Sequence, residues 1–453
     1  MMGRLKNMKL NSLKTLFAEV ARDSGKGASA GKTIRRKVNR TGDNARVGRG
    51  IHSASALERP RPGEMLETPD HPALKRTEFR APFPHRLPLL SMVTAALLVV
   101  GAMVVQGAGA ATKLKWTELP PVPDKEGFAA PFVGVSNGAL IVAGGANFPD
   151  GYPWEDGKKV WYDSVFVLEK PNAKEWKTGF KLPGPVAYGI SITTDKGLLC
   201  IGGGDSEKHV ADVFQLEWKG GEIRTTTLPS LPKPCAFGSG VRVDNTVYVA
   251  GGIEKPSATR AMKNFWSLNL KKTSEGWQEH SPWPGPARML AVAASADKAF
   301  HLISGTSLAP DAEGKAVRTY LKDGWSWTKK TGWIPLADIP ASAVASPSPA
   351  PVIGDRHILV ICGDDGSKVG FEPLSKHPGF PKRVLAYDVH EDAWSKAGKV
   401  PFSIVTVPVA EWNGRFVIAN GEARPGVRSP KVWQARIPGK AKGKGKKKGG
   451  KGK

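Results

Sequence analysis

Apolar stretches that end in a pair of small residues recur along this chain. The stretches are ALIVAGG, LLCIGGG, TVYVAGG, AFHLISG, HILVICG and RFVIANG, and each closes on a glycine: Gly145, Gly203, Gly252, Gly305, Gly363 and Gly421. Successive glycines are 58, 49, 53, 58 and 58 residues apart. A nearly constant period of this length indicates a repeat architecture, here with six units.

Each unit carries the same further segments in the same order. An extended segment such as FVGVSNG precedes the stretch, and an alternating segment follows it, in order SVFVLE, DVFQLEW, NFWSLNL, RTYLKD, VLAYDV and KVWQARI. A fourth segment ends the unit, often with a tryptophan before a Pro-rich turn, as at Trp176, Trp277, Trp333 and Trp394. Four short strands separated by turns are typical of one propeller blade. The pattern predicts an all-β fold, a six-bladed β-propeller spanning residues 111–439.

The sixth unit lacks a fourth strand, since only a lysine-rich tail follows KVWQARIPG. The segment KLKWTELPPVP, which begins at Lys113, precedes the first unit and has the tryptophan and prolines of a fourth strand. We expect this amino-terminal strand to complete the last blade, because closing the ring leaves no open sheet edge.

The small pairs, together with Tyr387, Asp388 and Trp394, resemble the Kelch repeat. More narrowly, FVGVSNGALIVAGGANFPDG, AYGISI and VIANGEARPGVR resemble segments of the N-acetylneuraminate epimerases, also called sialic acid mutarotases. The resemblance extends over residues 113–436, and the order of these segments is similar to that of a cyclically permuted branch. It implies an isomerase that interconverts the α and β anomers of N-acetylneuraminate or a related acidic sugar, with no cofactor and no metal.

The motif N-G-E-A-x-P-G-x-R occupies residues 420–428. The resemblance implies that Glu422 and Arg428 are catalytic. A carboxylate at this position suits a general base, and an arginine offers a planar fork for the carboxylate of the substrate. Without the resemblance, Glu422 is alternatively a solvated loop carboxylate or a partner for Arg424, and Arg428 is alternatively a surface charge.

Three further residues are candidates for substrate binding. Arg288 follows PGPA at the start of blade 4, and Asn147 and Asp150 follow the small pair of blade 1. Structural or solvated roles are the alternative for each. The surrounding insertion, ANFPDGYPWEDGKKVWYD, contains Tyr152 and two tryptophans, so it either covers a substrate or is a loop held by its own aromatic cluster.

The formal net charge of +25 is concentrated at the two ends of the chain. Residues 1–88 carry +11 and residues 440–453 carry +8, which leaves +6 for the rest. The predicted body therefore gives no indication of a specific nucleic-acid partner. Three cysteines without a CxxC spacing predict neither a disulfide framework nor a zinc site. Nothing in the pattern indicates an oligomeric state.

Residues 1–86 lack a sustained apolar period, which predicts a disordered basic leader. Residues 87–105 are uncharged and lead to Ala108-Gly109-Ala110, so residues 87–110 are predicted to be a signal peptide cleaved after Ala110, with a retained membrane anchor as the alternative. Either predicts a periplasmic or secreted body, and contact with a membrane follows only from the anchor. Met65 is a possible later start. Residues 440–453 are a predicted disordered Lys/Gly tail.

Two other functions compete with the isomerase. One is a non-catalytic Kelch propeller that binds proteins or glycans, because a fold does not determine a function. The other is a copper oxidase of the galactose oxidase kind. Its metal needs clustered ligands, whereas the nine histidines of this chain are scattered.

Overall fold

The computed structural model describes residues 114–440. The predicted leader (residues 1–86), the predicted signal peptide or anchor (residues 87–110) and the tail from residue 441 onward lie outside the described residues. Almost all regular structure in the described part is β-strand. Three short 3-10 helices are also present: Pro153–Glu155, Thr273–Glu275 and Leu374–Lys376.

Six four-stranded antiparallel sheets form the six blades, which confirms the predicted propeller. From first to fourth strand, blade 1 comprises Phe132–Ser136, Ala139–Ala143, Ser164–Leu168 and Lys177–Lys181; blade 2, Ile190–Thr194, Gly197–Ile201, Val213–Lys219 and Glu222–Leu228; blade 3, Ser239–Val243, Thr246–Ala250, Phe265–Asn269 and Gln278–Glu279; blade 4, Val292–Ala296, Ala299–Ile303, Gly324–Thr328 and Gly332–Leu336; blade 5, Val352–Ile353, His357–Ile361, Arg383–Asp388 and Ala393–Lys399; blade 6, Val409–Trp412, Arg415–Ala419, Val432–Arg436 and Trp116–Leu119.

The amino-terminal strand closes the last blade, as predicted. Trp116–Leu119 pairs antiparallel with Val432–Arg436, with Trp116 opposite Ala435 and Leu119 opposite Val432. The chain therefore begins and ends its described fold in the same sheet, which leaves blade 6 complete.

One predicted strand belongs to a different sheet. The sequence pattern predicts RTYLKD as the third strand of blade 4, but that strand is Gly324–Thr328. The residues of RTY lie instead in the strand Ala316–Tyr320, which pairs with Thr306–Pro310 in a separate hairpin. Two similar small hairpins join Ala146–Asn147 to Val160–Trp161 and Glu422–Arg424 to Val427–Arg428.

Apolar side chains are buried between adjacent blades. Phe132 and Val165 of blade 1 pack with Leu198 and Phe214 of blade 2, and five comparable clusters occupy the other blade interfaces. Each blade is therefore stabilised by both of its neighbours, because an isolated four-stranded sheet leaves its apolar faces in water.

The small pair has a conformational reason in every blade. The first member adopts φ between +56° and +70°, and the second between +84° and +107°. The second member is always glycine, since a Cβ there would lie 2.6–2.8 Å from the chain that enters the same blade. Both positions are strained for ordinary residues, and the close approach leaves the second without space for a side chain. The small pair therefore recurs in the sequence because every blade contains this backbone turn.

A closed ring of six backbone hydrogen bonds joins the segments that lead into the first strands of the six blades; each such segment is called the entry of its blade. At each entry one residue has φ between +50° and +64° and donates its backbone N–H to the equivalent carbonyl of the preceding blade, at 2.7–3.2 Å. The six residues in order are Ala130, Tyr188, Phe237, Leu290, Ala345 and Thr406. The ring ties all six blades together around the centre of the propeller.

Tryptophans in or directly before the fourth strands connect neighbouring blades. The indole Nε1 of Trp277 donates to the carbonyl of Pro229 at 2.8 Å, and Trp394 donates to Ala337 at 2.9 Å. Trp176 and Trp333 bond the preceding turn in the same manner. The tryptophan of the repeat therefore binds the Pro-rich turn one blade earlier in the ring.

Candidate active site

The residue after each small pair lies next to the ring of hydrogen bonds. In every blade it forms a β-bridge with the residue that precedes the ring position, as Glu422 does with Val405 and Asp364 does with Val344. Acidic side chains occupy this position in blades 5 and 6. The repeated turn thus brings two carboxylates from adjacent blades toward the centre of one face.

The sequence motif forms a tight hairpin that joins its acid to its arginine. Glu422 and Arg428 are directly opposite each other in the hairpin, and Gly426, with φ of +79°, makes the turn. Arg428 Nη1 donates to Glu422 Oε1 at 3.0 Å, and the backbone N–H of Gly426 donates to the same oxygen at 2.9 Å. The six-residue spacing therefore places the two side chains in contact.

Arg428 is fixed from several sides. Its side chain is 4% exposed, its Nε donates to the carbonyl of Ala146 at 3.4 Å, and its guanidinium lies 4.7 Å from the centroid of the Phe148 ring. These contacts orient Arg428 toward Glu422. In this arrangement the arginine holds the carboxylate in place, a contact that its predicted role as a substrate ligand did not include.

A cavity of about 320 Å³ lies over this hairpin and the ring of hydrogen bonds, and all six blades contribute to its lining. Its aromatic residues are Phe148, Trp154, Tyr188, Phe237, Tyr320, Phe371 and Phe380. Its charged residues are Lys159, Arg318, Lys368, Arg428, Asp364, Glu372 and Glu422. Mixed apolar walls with a few converging polar groups are typical of small-molecule sites.

The hairpin inserted in blade 4 brings Arg318 and Tyr320 into the cavity, and sequence reasoning missed both residues. The hydroxyl of Tyr320 donates to Asp364 Oδ2 at 2.6 Å, and the N–H of Gly366 donates to Asp364 Oδ1 at 3.0 Å. Burial and the Asp364 charge raise the pKa of Tyr320, so its hydroxyl stays protonated. Burial lowers the pKa of Arg318 to about 10, against the influence of Tyr320, Asp364 and Glu422.

The segment TSLAPDAEGKAVRTY was the signal that could have located these residues. Two extended runs flank an Asp-Ala-Glu-Gly turn, which is a hairpin pattern. Because the alternation in RTY also fits a blade strand, the pattern alone does not identify Arg318 and Tyr320 as cavity residues.

His377 also lines the cavity and is buried. Burial lowers its pKa, so the ring is neutral at pH 7. The backbone N–H of Gly379 donates to Nδ1 at 3.0 Å, which assigns the ring proton to Nε2. His377 therefore offers a hydrogen-bond donor and no charge.

The three secondary candidates do not line this cavity. Arg288 is fully buried, where it pairs with Asp323 and donates to the carbonyl of Ser304 at 2.9 Å. Asn147 is buried and its Nδ2 donates to Asp124 at 3.1 Å, while Asp150 is exposed to solvent. The geometry places Arg288 and Asn147 in the protein framework and gives no support to substrate contacts from these three.

The insertion of blade 1 combines the two interpretations offered for it. Phe148, Pro153 and Trp154 line the cavity. Tyr152 stacks on Trp154 with ring centroids 4.7 Å apart. The loop is therefore held by its own aromatic pair and forms one wall of the site.

Within residues 114–440 no set of three His, Cys, Asp or Glu side chains is grouped so as to hold a metal ion. No helix in that same part of the chain has the length and apolar character needed to cross a membrane.

The fold and the site define a six-bladed propeller with a polar and aromatic cavity at its centre. Solved structures include a similar one, described as the structure of YjhT, with a TM-score of 0.51 and 15% identity, which covers 69% of this chain and 96% of that one. This likeness supports the propeller fold.

Sequence comparisons point to one family. The family model described as N-acetylneuraminate epimerase matches residues 100–225. The N-acetylneuraminate epimerase of Yersinia enterocolitica serotype O:8 / biotype 1B is 36% identical over 139 residues, which are 27% of this chain and 34% of that protein. The enzyme of the same name from Haemophilus influenzae strain 86-028NP is 24% identical over 233 residues, 47% of this chain and 60% of that protein.

These matches confirm the resemblance to N-acetylneuraminate epimerases. The aligned regions span about one third to three fifths of the relatives' own length.

Proposed function

We propose that this protein is a mutarotase that interconverts the α and β anomers of N-acetylneuraminate or a closely related acidic sugar. The observation that carries the proposal is the Glu422 carboxylate, which lines the central cavity and is oriented there by Arg428 and Gly426. The names of the relatives supply the substrate class.

The chemistry needs one proton to move between two oxygens of the sugar. In the cyclic form, the anomeric hydroxyl and the ring oxygen are both bonded to carbon C2. A base removes the hydroxyl proton, the electrons of that O–H bond form the ketone, and the C2–ring oxygen bond breaks as its oxygen takes up a proton. Rotation about the bond between C2 and C3, followed by the reverse steps, gives the other anomer.

Glu422 suffices for both proton transfers in this proposal. Its Oε1 holds the bonds from Arg428 and Gly426, whereas Oε2 carries neither of them. Oε2 accepts the proton from the anomeric hydroxyl and returns it to the ring oxygen, since both oxygens are attached to one carbon and lie within reach of one carboxylate. Arg428 keeps the carboxylate in position, and proper positioning contributes much of the rate in such reactions.

The competing function is a propeller that binds a glycan or protein without catalysis. The mutarotase requires that Glu422 and Arg428 face the central cavity, as they do, and binding without catalysis does not require it. That arrangement favours the enzyme.

Proton NMR separates the two functions. Freshly released α-N-acetylneuraminate is followed with and without the full chain at micromolar concentration. We expect a faster approach to the anomeric equilibrium with protein present. Binding of the sugar with an unchanged rate would establish the non-catalytic alternative.

We also propose that the body is exported, which rests on the uncharged segment 87–105 and the small residues that follow it. Amino-terminal sequencing of the native protein tests this. A mature chain that begins at Ala111 supports a cleaved signal peptide, a chain that retains residues 87–105 in a membrane fraction supports the anchor, and a soluble cytoplasmic chain that retains them contradicts export.

A further inference from the structure

Four cations line the central cavity, and they differ in how they are held. Arg428 is turned toward Glu422 and is almost fully buried. Lys159 lies with its Nζ 5.5 Å from the ring centroids of Phe148 and Trp161, and Lys368 is exposed. Arg318 is only partly exposed, and loss of water around its guanidinium lowers its pKa, yet it remains charged at pH 7.

Arg318 lies in the hairpin inserted in blade 4 and lines the same cavity as Glu422 and Arg428. It lies two residues before Tyr320 on the strand Ala316–Tyr320, so both side chains leave the same face of that strand. The bond from Tyr320 to Asp364 ties the strand to blade 5. Arg318 in turn interacts electrostatically with Asp364 and Glu422.

The geometry of the substrate explains why Arg318 and Glu422 would act on neighbouring groups of the sugar. In N-acetylneuraminate the C1 carboxylate is bonded to C2, the same carbon that carries the anomeric hydroxyl and the ring oxygen. A residue that anchors the carboxylate must therefore lie beside the residue that moves the proton. Arg318 meets this condition because it lines the same cavity as Glu422 and interacts electrostatically with it, whereas Arg428 already donates to Glu422 Oε1.

We infer that Arg318, rather than Arg428, is the residue that binds the carboxylate of the acidic sugar. The inference rests on the proposed function for the substrate class. A guanidinium offers two parallel N–H donors to a carboxylate, and the apolar walls of the cavity strengthen that contact. The seven charged lining residues, four basic and three acidic, leave one excess positive charge for one bound carboxylate.

The test compares two ligands and three variants. The first ligand is the α-methyl glycoside of N-acetylneuraminate, which keeps the carboxylate but cannot open its ring, and the second is the methyl ester of that glycoside, which lacks the charge. Titration calorimetry measures both with the wild-type full chain, Arg318→Met and Arg318→Lys. Arg224→Met, an exposed change on the outermost strand of blade 2, is the matched control.

We expect Arg318→Met to weaken binding of the acid about 10- to 150-fold, the usual effect of losing a hydrogen bond to a charged group. The wild type should prefer the acid over the ester by a similar factor, and Arg318→Met should lose that preference. Arg318→Lys should retain part of it, and Arg224→Met all of it. A general loss of folding would weaken both ligands equally and would leave the preference unchanged.

An unchanged preference for the acid in folded Arg318→Met would overturn the inference, as would a wild type that binds acid and ester alike. Because neither glycoside can react, these results are independent of turnover. A wild type that prefers the acid glycoside but does not accelerate anomer exchange would contradict the proposed function and leave Arg318 as the carboxylate ligand.

Discussion

The contact between Glu422 and Arg428 predicts a large energetic coupling, and blade 6 supplies a matched comparison for it. The pair is separated by 3.0 Å with side chains 21% and 4% exposed. The pair of Glu118 and Lys431 is separated by 2.9 Å with side chains 46% and 54% exposed. The two ion pairs have nearly the same length, so they differ chiefly in their contact with water.

Coulomb's law gives the scale of the difference. Unit charges 3 Å apart attract with about 5.5 kcal/mol at an effective dielectric constant of 20, and with about 1.4 kcal/mol in bulk water. Desolvation offsets part of the gain in the buried pair. We therefore expect a coupling of about 1.5–3 kcal/mol for Glu422 with Arg428, and below about 1 kcal/mol for the surface pair.

Urea unfolding of two double-mutant cycles measures both couplings. One cycle uses Glu422→Gln, Arg428→Met and the double variant, and the other uses Glu118→Gln, Lys431→Met and their double variant. Arg428→Met alone leaves a carboxylate without its partner, so adding Glu422→Gln should recover stability. Equal couplings in the two cycles, both below about 0.5 kcal/mol, would refute the view that Arg428 holds Glu422 in the site.

Three further changes test the framework around the site. Gly421→Ala should cost about 2–4 kcal/mol of stability and reduce activity, because its φ is +107° and its Cβ would lie 2.6 Å from a buried isoleucine. Gly138→Ala, at a φ of +82° with open space around the Cβ, should cost about 1 kcal/mol. Equal losses of stability in thermal unfolding would count against the steric argument. Trp394→Phe should lose about 1 kcal/mol with its 2.9 Å hydrogen bond, and no change in the urea midpoint would show that this bond contributes nothing. Burial lowers the pKa of both His209 and His301 from 6.5 to about 4. Because the unfolded chain then binds more protons than the folded chain between these pH values, stability should fall as the pH decreases from 6.5 toward 4. An unfolding midpoint that does not change across that range would contradict this.

The six blades were predictable because the backbone turn leaves its mark on the sequence. At the second position of each small pair, a left-handed conformation and a close chain leave glycine as the residue that fits, as at Gly145 and Gly421. The missing strand of blade 6 was predictable for a similar reason, since a closed ring requires one. Because this local constraint recurs in every repeat, the number of small pairs in the sequence gives the number of blades.

The site was less predictable because it depends on contacts between distant segments. Arg288 follows a Pro-rich turn at what was expected to be the rim, but Asp323, 35 residues later, holds it inside the protein. Arg318 lies on an extended run that does form a strand, but in an inserted hairpin rather than in the blade. Alternation of side chains identifies a strand and does not identify its sheet.

The rate of anomer exchange at equilibrium tests the central claim most directly. Magnetisation-transfer NMR on equilibrated N-acetylneuraminate measures exchange between the two anomers in the presence of the full chain. We predict rapid exchange with the wild type and with Glu207→Gln, an exposed change in blade 2, and a loss of at least about 100-fold with folded Glu422→Gln, which cannot take up the proton. Exchange at the wild-type rate in Glu422→Gln would contradict the assignment of Glu422 as the residue that moves the proton.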